Sequence, residues 1–157
     1  MLDFTQSIAS HYDATCEGDK RDFVSELYGT CEFYNYGYWR NDTRTIEQAC
    51  ENLMEELLSF IPDKSGRILD VACGKGATSR YLCKYFEPKN VVGINISQQQ
   101  LKRCRENAPM CEFINMNATK LEFEDESFDH MISVEAIHHF DTRETFLREA
   151  YRVLKKN

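Results

Sequence analysis

The chain has 157 residues, of which 42% are hydrophobic and 29% charged, and its net charge is −7. This length fits one domain with one core, and the acidic balance argues against DNA or RNA as a partner, because their phosphates need a basic face. The sequence has no apolar run near the roughly 20 residues of a membrane helix and no signal peptide, so we expect a cytoplasmic protein without a membrane span.

Cysteines are scattered through the chain without a Cys-x-x-Cys pair. They occupy positions 16, 31, 50, 73, 83, 104 and 111. An odd, dispersed set favours reduced thiols over a disulfide framework. None of the four histidines is at ligand spacing from a cysteine, so we expect no metal site. Cys73 stands in a glycine loop, where it is either a reactive thiol or a small side chain at a tight turn.

The first strongly periodic segment is an amphipathic helix that follows an aromatic N-terminal region. Its apolar residues recur at helical spacing and are Ile46, Ala49, Cys50, Leu53, Met54, Leu57, Leu58 and Ile61. Asp42 or Thr43 is the expected N-cap, and Pro62 ends the helix.

From residue 68 onwards, strand patterns alternate with helix patterns. The expected strands are 68–71, 91–94, 112–116 and 128–135, and the expected helices between them are 77–86 and 98–107. Asp141 and Glu144 form a capping signal for a last helix. Its apolar residues are Phe146, Leu147, Ala150, Val153 and Leu154. The alternation predicts an α/β fold, a Rossmann-like doubly wound parallel sheet with helices on both faces. Ligands bind such sheets at the carboxyl ends of the strands.

The most informative segment is residues 67–76, where an apolar strand leads into Asp70 and a loop of small residues. Glycine turns let a ligand approach the backbone, and the following helix presents free N–H groups. A carboxylate at the strand end repels a pyrophosphate and attracts a cationic amine. Residues 74–79 come within one residue of a dinucleotide fingerprint, but Asn95 stands where that motif needs an acid.

Several motifs of the sequence occur in the order and at the spacing found in one protein family. Residues 68–76 resemble a glycine-rich cofactor loop, 92–100 a ribose-binding turn, 117–129 an adenine-binding loop, and 128–139 and 146–155 a fourth strand and its following helix. Together they resemble the class I S-adenosylmethionine-dependent methyltransferases, in the small-molecule branch that includes ubiquinone, sterol, tocopherol and sugar O-methyltransferases. The resemblance covers about residues 34–154 and implies S-adenosylmethionine as cofactor, with S-adenosylhomocysteine as product.

The resemblance also assigns cofactor contacts. They are Asp70, Ala72, Cys73, Gly74, Gly76, Asn95, Ile96, Gln100, Asn117, Ala118, Glu135, Tyr38 and Trp39. Asp70 is expected near the methionine amino group, and Ala72 replaces a family glycine, so we expect it to keep a negative φ. Asn95 and Asn117 replace carboxylates that accept from the ribose hydroxyls and the adenine amino group. Their amide oxygens accept more weakly, with Gln100 close enough to assist, unless both are simply turn residues.

Two histidines follow the fourth predicted strand. The resemblance implies a catalytic base there that takes a proton from a hydroxyl acceptor. It favours His139 over His138, because the family's more regular histidine precedes an apolar residue, which here is Phe140. The alternative is that both only lead into the cap of the last helix.

The aromatic segment 34–39 resembles a Gly-Tyr-Trp segment that covers the cofactor in this branch. We therefore expect residues 1–42 to form an N-terminal helical lid and residues 43–157 to form the cofactor domain. Each ring taken singly is equally well explained as ordinary core.

Family members continue into three more strands beyond the last helix, so we expect a C-terminal truncation that leaves residues 128–135 as an open, apolar edge. That edge invites a homodimer partner or a completing C-terminal chain. Two functions follow: a methyltransferase acting on a small, apolar hydroxyl, amine or carbon acceptor, or a non-catalytic module that binds cofactor or a partner. A dinucleotide oxidoreductase is a third and weaker hypothesis.

Overall fold

The computed structural model describes residues 3–16 and 31–156, so residues 17–30 of the predicted lid lie outside the described residues. The helices described are α1 (Phe4–Cys16), α2 (Ile46–Ser59), α3 (Ala77–Leu82), α4 (Gln98–Asn107) and α5 (Arg143–Val153). The strands are β1 (Ile68–Val71), β2 (Val91–Asn95), β3 (Glu112–Asn115) and β4 (His130–Ile132). Short 3₁₀ turns lie at Pro88–Asn90 and Ile137–His139.

The four strands form one parallel sheet in the order β3-β2-β1-β4. Every residue of β1 and β2 is buried, as expected for central parallel strands covered by helices on both faces. The predicted Rossmann-like α/β fold is therefore confirmed. Strand order reverses beside β1, and ligands bind such sheets at the carboxyl ends of the strands next to that switch point.

The two larger of three apolar core clusters lie on opposite faces of the sheet, and the smaller third cluster contains residues of α4 and β3. Ile68 of β1 packs with α2 residues such as Met54 on one face, whereas Leu69 packs with α5 residues such as Phe146 and Val153 on the other. This division follows the alternation of side chains along a strand. Because side chains from both faces of β1 pack in the core, the position of the loop that follows β1 is fixed.

The predicted helix caps are wrong by a few residues. Thr45, not Asp42 or Thr43, caps α2, and its side chain accepts from the backbone N–H three residues on. Thr142, not Asp141, caps α5 in the same way. Each Thr has the extended backbone that an N-cap needs, and a single sequence offers several neighbouring capping residues.

The fourth strand is shorter than the predicted 128–135. Phe128 is buried but pairs with Leu154 beyond α5, and the chain leaves the sheet after Ile132 and reaches a positive φ of 52° at Glu135. Within the described residues β4 is an outer strand of the sheet, as expected.

Smaller differences concern helix lengths and faces. α3 ends at Leu82 rather than at residue 86, β2 ends one residue later and β3 one residue earlier than expected. Leu147 was expected on the apolar face of α5 but is 59% exposed. In the part of the chain described, no helix is both long and apolar enough to cross a membrane. The cytoplasmic location stays a prediction.

Candidate functional site

A cleft lies at the carboxyl ends of the strands, beneath α1. The predicted site residues that line it are Ala72, Gly74, Asn95, Ile96, Gln100, Asn117, Ala118, Glu135 and His139. They come from loops after all four strands, so the parallel topology brings together residues that lie far apart in the sequence.

Asp70 and Cys73 line a smaller neighbouring cleft, which shares Ala72 and Gly74 with the main one. The Asp70 side chain is 1% exposed and accepts a 2.6 Å hydrogen bond from Ser79 Oγ. Burial raises the pKa of Asp70 to about 7, against the lowering effect of the Ser79 bond. A cationic ligand group in this cleft would supply the missing counter-charge.

Tyr38, Trp39 and His138 do not line either cleft, so the expectation that the two aromatic residues contact a ligand there is corrected. Trp39 is 54% exposed and donates to Tyr36 O. The Tyr38 backbone N–H donates to Ala49 O, which lays this segment along α2 instead of over the cleft. The aromatic residues at the cleft are Tyr12 and Tyr34, together with Phe140.

The backbone of the glycine loop at Ala72 differs from the one that we expected. Ala72 has a φ of 60°, not a negative value, a conformation that costs an L-residue about 1–2 kcal/mol. Cys73 N–H donates to Ile94 O of β2, and Gly76 N–H donates back to Cys73 O, so these two bonds fix the turn. Gly76, at the start of α3, has a φ of 87°, and a Cβ there would lie 2.9 Å from the backbone Cα of Cys104. Gly76 is therefore required by the turn and lines neither cleft.

Asn95 uses its side-chain amide to hold the turn after β2. Its Nδ2 donates to Gly74 O at 3.2 Å and to Gln100 Oε1 at 2.7 Å, and its Oδ1 accepts from Ser97 N–H. The backbone partners fix which way the Asn95 amide faces, and this in turn directs the oxygen of Gln100 toward Asn95. Gln100 Nε2 is then left buried with no partner among the described residues. An unpaired buried donor beside a cleft is the kind of group that a bound ligand satisfies.

Asn117 makes a similar local turn after β3. Its Oδ1 accepts from both the N–H and the Oγ1 of Thr119 at 2.9 Å. The amide oxygen that was expected to face a ligand is thus already engaged, and the Nδ2 group is the one left to donate into the cleft. Ala118, the next residue, is buried.

The cleft also contains a pair of titratable rings. Tyr12 Oη and His139 Nε2 are 2.9 Å apart. The pKa of His139 is lowered, first by burial and then by the nearby His138 and His11, so the ring is neutral and able to accept a proton near pH 7. Burial, followed by the neighbouring Tyr34, raises the pKa of Tyr12.

Two carboxylates hold the covering segments in place. Asp13 Oδ1 accepts from Ser97 Oγ at 2.5 Å and from Gln99 N–H at 3.1 Å, which fastens α1 to the start of α4. Glu135 Oε2 accepts from Tyr36 N–H at 3.0 Å and so joins the end of β4 to the aromatic segment. The first of these contacts also orients the adjacent Tyr12.

Cys73 is buried and its sulfur lies 3.7 Å from Cys104 Sγ. The contact with Cys104, followed by burial, raises the pKa of Cys73 well above its usual value. A neutral thiol packed against α4 favours the structural interpretation over a nucleophile. In residues 3–16 and 31–156, no group of three or more His, Cys, Asp or Glu side chains could hold a metal ion.

Comparison with known proteins adds a family to this geometry. The profile of a family described as "Methyltransferase domain" matches residues 69–157. The chain is 31% identical over 155 residues to the 27-O-demethylrifamycin SV methyltransferase of Amycolatopsis mediterranei, covering 94% of this chain and 54% of that protein.

Two solved structures share the fold. The [4+2]-cyclase SpnF superposes with a TM-score of 0.80 at 23% identity, covering 97% of this chain and 56% of that one. The geranyl diphosphate C-methyltransferase of Streptomyces coelicolor, solved with S-adenosylhomocysteine, gives a TM-score of 0.76 at 13% identity, with 98% and 62% covered. The chain thus spans little more than half the length of these proteins.

Proposed function

Because the chain belongs to the class I S-adenosylmethionine-dependent methyltransferases, we propose that it transfers the methyl group of this cofactor to a hydroxyl on an apolar small molecule. Family membership removes the ground for a dinucleotide oxidoreductase. The observation that carries the choice of a hydroxyl is the Tyr12–His139 pair, a neutral base already hydrogen-bonded at one end of the cleft.

The residues at the other end fit S-adenosylmethionine, and three groups would hold it. Asp70 is a buried carboxylate with no counter-charge among the described residues, suited to the methionine ammonium. Gln100 Nε2 is a buried donor that has no partner in the described part of the chain, suited to a ribose hydroxyl oxygen. Asn117 can donate through Nδ2 to an acceptor nitrogen of the adenine ring, because its oxygen is engaged. Asn95 supports Gln100 from behind rather than binding ribose itself.

When bound, the cofactor supplies a methyl group that its sulfonium already activates. The protein must therefore align the acceptor and, for a hydroxyl, remove its proton. His139 Nε2 is engaged by the Tyr12 hydroxyl, so we propose that the acceptor proton passes to the Tyr12 oxygen as the Tyr12 proton passes to His139. Its exposed neighbour His138 does not line the cleft and serves only to keep His139 neutral.

The lining of this end indicates the kind of acceptor. Ile8 of α1 and Phe140, the residue after His139, line the cleft. Such walls bind an apolar body, with orientation fixed by a few polar groups. The 31% identical relative is named for methylation of an oxygen on a rifamycin, which supports an oxygen acceptor here.

The test is transfer of an isotopically labelled methyl group from S-adenosylmethionine to matched apolar acceptors that carry a hydroxyl, an amine or neither. The proposal predicts label on the hydroxyl compound, with a rate that Tyr12→Phe reduces. Label on the amine alone, or a rate that Tyr12→Phe leaves unchanged, contradicts the choice of acceptor or the proton path respectively.

A second candidate is a module that binds cofactor or a partner without turnover. It is favoured by β4, whose outer edge is unpaired within the described residues, and by the exposed Leu147 and Tyr151 on the following helix. Such an edge pairs readily with a second copy or with a completing chain. Binding of S-adenosylhomocysteine without transfer to any acceptor, combined with a dimer in analytical ultracentrifugation, would favour this candidate.

A further inference from the structure

Arg152, near the end of α5, reaches back to the loop that joins β3 to β4. Its guanidinium donates to Leu121 O and to Phe123 O, both at 2.7 Å, and to Asp125 Oδ1 at 2.8 Å. Bonds from a charged, planar donor to two backbone carbonyls hold a loop more firmly than neutral bonds do. The Arg152 side chain is only 31% exposed, so water screens these bonds incompletely.

Glu149, one turn earlier on the same helix, completes this clamp. Its Oε2 accepts from Leu121 N–H at 2.7 Å and its carboxylate pairs with Arg152 at 3.0 Å. Both backbone polar groups of Leu121 are therefore held by two α5 side chains that also bind each other. The Arg152 bond, working against burial, lowers the pKa of Glu149, so the pair is charged at neutral pH.

The clamped residue lies only four positions after Asn117. Between them, Lys120 N–H donates to Asn117 O at 3.0 Å, and Thr119 donates twice to Asn117 Oδ1. Leu121 itself is buried in the core cluster that contains α5 residues. Because these hydrogen bonds hold the turn, a displacement of Leu121 also moves the Asn117 side chain.

We propose that Glu149 and Arg152 are positioning residues that set the adenine selectivity of the cofactor site through Asn117. The proposal rests on the placement of adenine at Asn117 made above. In this placement Asn117 Nδ2 donates to N1 of adenine, which is a hydrogen-bond acceptor. In hypoxanthine N1 carries a hydrogen and is a donor instead. Discrimination between the two bases then depends on how firmly the Asn117 turn is held, because a loose amide can turn to present either group.

The experiment is calorimetric titration with S-adenosylhomocysteine, S-inosylhomocysteine and 5′-methylthioadenosine. Arg152→Gln removes the two-carbonyl fork, and Arg152→Lys keeps the charge but cannot make the same set of bonds. Arg148→Gln is the matched control, because Arg148 is on the same helix and, among the described residues, pairs with the exposed Glu144 alone. We expect both Arg152 variants to lose about tenfold in affinity for the two adenine ligands, with little change for the inosine ligand. The control should match the unmodified protein.

A general loss of packing would weaken all three ligands alike, and that result overturns the proposal. So does unchanged affinity in both Arg152 variants. If Arg152→Gln does not fold, Arg152→Lys and Glu149→Gln carry the same test. Asn117→Ala separates the proposal from its premise: loss of adenine selectivity in Asn117→Ala but not in the Arg152 variants refutes the clamp alone, whereas unchanged affinity in Asn117→Ala refutes the placement of adenine. Combined with Arg152→Gln, Asn117→Ala should add little further loss.

Discussion

The two ends of the cleft are built in different ways. At the cofactor end, Asp70, Asn95 and Gln100 are buried, and bonds to nearby backbone fix Asn95 and the glycine loop. At the acceptor end, Tyr12 and His139 come from segments 127 positions apart and meet through one side-chain bond.

This difference indicates which properties each end can change independently. Cofactor affinity depends on a turn whose backbone is fixed by several hydrogen bonds. Most side-chain changes there should therefore also affect folding. The acceptor end is half-exposed and can exchange side chains with little effect on the core. Variants at the two ends should therefore separate cofactor binding from turnover.

The largest expected effect is on turnover at the acceptor end. His139→Ala should reduce the methyl-transfer rate by about a hundredfold or more, because it removes the group proposed as the final proton acceptor. Affinity for S-adenosylhomocysteine should stay within about twofold of the original value, as His139 lies away from the groups proposed to hold the cofactor. His138→Ala is the control and should keep most of the rate. A parallel loss of affinity in His139→Ala would show that the two ends are not separable.

A somewhat smaller effect is expected on cofactor affinity at Asp70. Asp70→Asn should weaken S-adenosylhomocysteine binding about thirtyfold at pH 8, because it removes the charge that pairs with the ligand ammonium. Since the pKa of Asp70 is about 7 in the free protein, the original protein should also lose affinity as the pH falls below about 7, by up to about tenfold per pH unit. Asp70→Asn should lack this slope, and an equal slope in both proteins would assign the titration to another group.

Stability should respond to pH in the opposite sense at this position. The pKa of Asp70 rises from an ordinary 3.8 to about 7 on folding, so the folded state holds the proton over that interval. The free energy of unfolding should therefore fall as the pH rises from about 4 to about 7 and then level off, relative to Asp70→Asn. Denaturant titrations at several pH values measure this difference. A difference that grows with pH would contradict the buried, uncompensated carboxylate.

We expect a substitution at Gly76 to lower the free energy of unfolding by about 2 kcal/mol. Gly76→Ala places a Cβ on a residue with a φ of 87° and within 2.9 Å of the Cys104 backbone, so both the conformation and the contact are unfavourable. Urea unfolding should show the loss, and cofactor affinity should fall with it because the loop must shift. Full stability in this variant would mean that the turn is not fixed as described.

The smallest expected effect is a gain at Ala72. Ala72→Gly removes the strain of a φ of 60° in an alanine and should raise the free energy of unfolding by about 1 kcal/mol or less, because added freedom in the unfolded chain offsets part of the gain. Thermal unfolding beside Gly76→Ala measures the opposite signs of the two changes. A destabilised Ala72→Gly would refute the left-handed conformation.

Much of the cofactor end could be predicted from the sequence because its signals are local. An apolar strand followed by small residues predicted the loop after β1, and alternating patterns predicted a parallel sheet that gathers residues such as Gln100 and Asn117. The direction of the side-chain hydrogen bonds could not be predicted from the sequence. Whether Asn95 presents its amide to a ligand or to Gly74 O depends on where the loop carbonyl lies, which the residue types do not determine.

The acceptor end was less predictable because it depends on contacts distant in sequence. Placing Tyr38 and Trp39 over the cleft was wrong, since the Tyr38 backbone bonds to α2. The expected negative φ at Ala72 was wrong because the backbone bonds of the turn outweigh the alanine preference. The contact between Tyr12 and His139 depends on how α1 docks through Asp13. The Asp13–Ser97 bond has no local sequence signal.

We propose that the part of the cleft near Asp70 and Gln100 is an S-adenosylmethionine site. Calorimetric titration of the chain with S-adenosylhomocysteine, with NADH as control, tests it most directly. We predict one site with a Kd of about 1–10 μM for S-adenosylhomocysteine and no measurable heat with NADH. A folded protein that binds neither ligand, or that binds NADH more tightly, would contradict the account.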